Sequence, residues 1–117
     1  MAKVRFKSRP PEPRELLACL QSIFPDFGDD ILTGEIKDAP GLGLHCVMRH
    51  FSEYFSPMTA PDNSLRMLGG LINEAVAFDD MLENAVFTCF LEHLGQMNGY
   101  RPLAPYLSKQ ARARTRR

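Results

Sequence analysis

The chain holds no run of the ~20 consecutive apolar residues that a membrane-spanning helix requires. Its first 11 residues are basic and no apolar segment follows them, so they do not read as a secretory leader. A cytoplasmic location is the expectation. Cysteine is scarce: Cys19, Cys46 and Cys89 are odd in number and widely spaced. They read as reduced thiols rather than a disulfide framework. Catalytic signatures are missing too. Residues 40–43 carry two glycines, but no Lys-Ser/Thr pair follows to cradle a phosphate. Residues 26–30 are rich in aspartate but lack the order and the distant glutamate of a calcium loop. No Glu-x-x-His occurs, so the carboxylate-bridged di-iron pattern is excluded. No RNA-binding signature or recognition helix is visible. No cofactor is expected, and the reading is non-enzymatic.

What is present is enough apolar sequence for a core: 44% of the 117 residues are hydrophobic. Residues 65–97 organise the chain as two helices joined at Asp79-Asp80. In the first, Leu65, Leu68, Ile72, Ala75 and Val76 recur at three- and four-residue steps, which places them on one face. Ser64 is the expected N-cap, and Gly69-Gly70 suggests a close contact that a side chain would block. In the second helix, Asp80 with Glu83 resembles a capping box. Leu82, Val86, Phe90 and Leu94 form its stripe, with Phe87 and Leu91 on a second apolar face. That predicts a central helix, stopped at Gly99.

Upstream, Pro13 suits a first helical turn, and Leu16, Leu17, Leu20, Ile23 and Phe24 follow at helical spacing up to Pro25. Residues 31–39 read as loop. A further helix is predicted over 44–55. A last basic helix from Lys109, capped by Ser108, is expected to fray. The fold class is therefore all-α: a compact bundle of four main helices plus a short C-terminal one. Residues 1–11 form a basic arm, 12–108 the single helical domain and 109–117 a basic tail.

Three blocks resemble a known pattern: Leu71-Ile72-Asn73-Glu74-Ala75-Val76, then Leu82 through Leu94, then Leu103-Ala104-Pro105-Tyr106-Leu107-Ser108-Lys109. They are similar to a family of small uncharacterised bacterial helical proteins, a domain of unknown function. Its members resemble in style the immunity proteins that accompany bacterial toxins. The resemblance implies a small bacterial helical protein and carries no catalytic residues.

The net charge of zero conceals a polar arrangement. Residues 1–14 carry five basic side chains against Glu12, a net +4, and residues 109–117 carry five more, a net +5. Residues 15–108 hold Lys37, Arg49, Arg66 and Arg101 against thirteen acids, a net −9. An acidic body suits association with a basic protein. Asp29, Asp30 and Asp79, with the aromatic cluster of Phe51, Tyr54 and Phe55, are the expected partner-binding residues; homo-oligomers fit the same features. The alternative is a nucleic-acid-associated regulator that uses the basic ends, against which the acidic body would repel phosphate.

One chemical pattern recurs. Cys46 and His50 stand four apart on one predicted helix, and Cys89 and His93 four apart on another. Facing each other, they would present a Cys2His2 set for zinc. The reading preferred here makes the cysteines small hydrophobes and the histidines helix-edge residues. His45, His50 or His93 with Cys46 or Cys89 also gives a Cys–His nucleophile pair, for which no orienting third residue is evident.

Overall fold

The computed structural model describes residues 11–28, 43–77 and 80–115. Helix α1, Pro13–Ile23, starts on a proline at its first turn and buries Leu16, Leu17, Leu20 and Ile23. Phe24 and Phe27 then fold under it, and the chain turns at Gly28, whose φ of +85° favours a residue without a Cβ. Helix α2, Leu44–Phe55, turns Val47, Met48, Phe51 and Phe55 inward. Helix α3, Asp62–Val76, begins on Pro61 rather than at Ser64, because proline at the cap donates no N–H that the helix would leave unpaired. Helix α4, Met81–Val86, is capped as its sequence foretells: Asp80 accepts from the Glu83 N–H at 3.1 Å. The chain then widens into a π-helical turn, Phe87–Leu91, and closes as α5, Glu92–Leu94. A short α6, Tyr100–Leu103, a 3-10 turn, Ala104–Tyr106, and α7, Lys109–Arg114, complete the described chain.

The fold is all-α, although the terminal third is cut into shorter helices than a four-plus-one bundle implies. No helix among the described residues is long and apolar enough to cross a membrane. The segment α4–π turn is central, as its two apolar faces require: it packs on α2, α3 and α7. Phe51, Phe55 and Phe90 meet Phe24 and Phe27 in one aromatic cluster, with neighbouring centroids 5.2–6.1 Å apart. Each such buried side chain contributes roughly 1.5–3 kcal/mol. The segment 31–39 and the Asp79 joint lie outside the described residues.

Two glycines act through space rather than through their φ. A Cβ on Gly69 would stand 2.7 Å from the Tyr106 Cβ and 2.9 Å from its carbonyl oxygen, so α3 and the 3-10 turn touch there. A Cβ on Gly99 would stand 2.6 Å from the Phe55 ring. Gly99 is thus a point of close packing that opens α6, not the stop signal expected.

The C-terminal helix also departs from expectation. It docks instead of standing off as a tail: Ala111 is fully buried, Gln110 donates to the Val76 carbonyl at 2.8 Å, and Arg114 pairs with Glu83. Ser108 caps it by accepting from Ala111 N–H at 3.1 Å. A low apolar content hid these polar anchors.

Candidate functional site

The expected partner-binding residues separate. Phe51 and Phe55 have 0% exposure and belong to the core, so no partner reaches them without opening it. This corrects the aromatic patch: the helical period turns both rings onto α1 and Phe90. Tyr54, one position from each stripe edge, stays half-buried at the cluster's rim, 5.2 Å from Phe27 and 6.0 Å from Phe24. Asp26 is exposed and its charge acts on the Tyr54 hydroxyl; Glu53, the preceding residue on α2, is exposed as well. Burial pushes the Tyr54 hydroxyl above its ordinary pKa, and the charge of Asp26 pushes it the same way. The result is a partly exposed aromatic ring with acidic charge beside it. Asp29, Asp30 and Asp79 lie outside the described residues.

The cysteines and histidines do not assemble as the four-residue set; one of the Cys–His pairs that the sequence allows, His45 with Cys89, comes together instead. Among the described residues no three of His, Cys, Asp or Glu converge to hold a metal ion. Cys46, His50, Cys89 and His93 therefore do not form the tetrahedral set that two facing helices would have made. The buried Nε2 of His50 has no hydrogen-bond partner among the described residues. Cys89 instead meets His45, on the first turn of α2, with Sγ 3.3 Å from Nδ1. The other ring nitrogen, Nε2, lies 3.3 Å from the Asn84 amide. Thr88 Oγ1 lies 3.4 Å from Asn84 Oδ1 and holds that amide in turn.

Asn84 is the orienting residue that spacing does not reveal. In an α-helix, residues five apart diverge by about 140° around the axis. The wider turn beginning at Phe87 adds residues per revolution. It brings Cys89 back round toward the face of Asn84. A fixed α-helical period places the two on different faces, and nothing in the sequence marks the π turn.

The local charge is mixed. Burial raises the Cys89 thiol above its ordinary pKa, and the Arg49 guanidinium opposes that shift. Arg49 stands one turn from His45 on α2. Cys19 has the opposite surroundings: burial and the Glu15 carboxylate both push its thiol up. With the Asn84 amide nitrogen facing Nε2, His45 carries its proton on Nδ1, toward sulfur. A half-turn of the amide reverses this and leaves Nδ1 able to accept the thiol proton. The Thr88 hydroxyl serves both states, since it donates and accepts.

A further groove of about 720 Å³ is lined by Gly95, Tyr100, Arg101, Ala104, Pro105 and Arg112, of which the two arginines are exposed. No family model, no curated protein and no solved structure matches this chain.

Proposed function

We propose that this protein is a non-enzymatic interaction module, of the kind represented by bacterial immunity proteins, that binds a basic protein partner. The observation that carries the reading is the half-buried Tyr54 ring with the Asp26 charge acting on its hydroxyl and the exposed Glu53 next to it on α2. An aromatic ring offers contact area at little conformational cost, and flanking carboxylates select and speed a cationic partner. The net −9 of residues 15–108 extends that field. The resemblance of residues 71–76, 82–94 and 103–109 to small bacterial helical proteins points the same way. The test is a native pull-down from the source cell, with and without nuclease, read by mass spectrometry. One stoichiometric protein that survives nuclease and is lost with Asp26→Lys/Glu53→Lys is the expected result. Recovery of mainly nucleic acid, lost on nuclease treatment, would overturn it.

The second reading, a nucleic-acid-associated regulator, draws support from the groove that Arg101, Arg112 and Tyr100 all line. Paired guanidinium groups suit phosphate. This reading expects binding that weakens steeply with salt and is lost on removing residues 1–9 and 112–117. Arg114 does not serve it, being held by Glu83 and lying over the Phe87 ring at 5.3 Å.

A further inference from the structure

We propose that Cys89 is a nucleophilic thiol served by His45 as its base, with Asn84 as the positioning residue, and that it adds to small α,β-unsaturated carbonyl compounds.

The geometry rests on two helices. Cys89 Sγ and His45 Nδ1 are in hydrogen-bond contact at 3.3 Å, the reach a general base needs. Asn84 contacts the far ring nitrogen at 3.3 Å and is braced by Thr88. A nucleophile, a base and a group that orients the base is the arrangement by which an ordinary thiol is activated. The site is open to solution: His45 is exposed and Cys89 only partly buried. The π turn that brings Cys89 and Asn84 together is itself a costly irregularity, of the sort that concentrates at functional sites.

The choice of electrophile follows from the backbone. Cys89 lies within a helical turn, where main-chain N–H groups are committed to carbonyls of the same helix. An acyl group attacked there would place its oxyanion where no pair of N–H donors can receive it. In conjugate addition the charge develops on the substrate's own carbonyl oxygen, away from the sulfur, and the positive charge of Arg49, one turn from His45 on α2, acts at Cys89. The step balances without any other reagent. His45 Nδ1 takes the thiol proton as the S–C bond forms at the β-carbon. The C=C π pair moves to the enolate, and the proton returns from His45 to the α-carbon. Nothing leaves, and a thioether remains.

The three cysteines make the test internally controlled. The native full chain is treated with acrylamide, and peptide mass spectrometry gives a rate for each cysteine. Cys89 is expected to react about tenfold or more faster than Cys19, and the difference is expected to vanish in urea, where the site is dispersed. His45→Gln should remove most of the Cys89 advantage and leave the Cys46 rate unchanged. Asn84→Ala should lower the Cys89 rate, and Asn84→Asp, which accepts from Nε2 as the half-turned amide does and so leaves Nδ1 free to take the thiol proton, should restore it. Equal rates for Cys89 and Cys19 in the native chain would overturn the proposal. So would an unchanged Cys89 rate in His45→Gln.

Discussion

Glu83 is the residue on which the C-terminal end is anchored. Its carboxylate is 6% exposed and meets Arg114 as an ion pair without the alignment of a hydrogen bond. Arg114 in turn covers the Phe87 ring. Removing one member strands the other charge, which costs more than the pair contributes intact. Arg114 is 38% exposed, so water relieves part of that cost. Arg114→Ala is expected to lose about 2 kcal/mol in urea unfolding, and Glu83→Gln less, since a neutral amide can stay buried beside the guanidinium. Gly69 gives a second case in which magnitude decides the sign. Alanine in a helix interior gains about 1 kcal/mol over glycine. Here the new methyl meets Tyr106 backbone, which cannot swing aside, and overpacking of that kind costs about 1–3 kcal/mol. Gly69→Ala should therefore destabilise, and a rise in Tm would show the contact to be looser than described. The sequence pointed to close packing at Gly69-Gly70 but not to its partner, because Tyr106 is 37 positions away and no local pattern links them.

At the scale of elements, the helix interiors were legible and the joints were not. The period of apolar residues set α1 and α2 correctly, since burial repeats with the helix turn. The π turn at Phe87–Leu91 was invisible for the same reason: a reading built on one period cannot register a change of period. The docking of α7 escaped because its anchors are polar. Asn73 on α3 is the clearest example. Its amide donates to the Tyr106 carbonyl at 3.0 Å and its oxygen accepts from Ser108 N–H at 2.7 Å. One side chain thus satisfies two main-chain groups where the 3-10 turn passes into α7. Asn73→Ala should cost about 2–3 kcal/mol and raise amide exchange in α7 before α1. Equal exchange in both helices would mean that the joint is held elsewhere. Ser108→Ala should cost about 1 kcal/mol through loss of the cap.

For the whole molecule, the ionisable groups with raised pKa values set an alkaline limit. The thiols of Cys19 and Cys89 lie above their ordinary 9.0, and the Tyr54 hydroxyl above 10.0. Each binds its proton more tightly folded than unfolded. Their contribution is complete below pH 9.0 and is lost as pH climbs through the raised values. Thermal stability should therefore fall as pH rises past 9.0, and Cys19→Ser should blunt the fall. A Tm that rose in that range would contradict the burial ascribed to these groups. The fold class was readable from composition and period. The charge division between body and ends was readable as well, yet the fold uses part of it: Arg114 of the basic end is spent on Glu83 of the acidic body. Of the expected partner-binding residues, only Tyr54 among the aromatics reaches the surface, because Phe51 and Phe55 lie at the centre of the apolar stripe that the helix turns inward.

Recruitment of a basic protein through the Tyr54 ring and the acidic charge beside it is measured by association kinetics with the captured partner. The wild type and Asp26→Lys/Glu53→Lys are compared across salt concentration. The association rate of the variant should be about tenfold lower at low salt and converge with the wild type as salt screens the field. An association rate that is unchanged at low salt would contradict it.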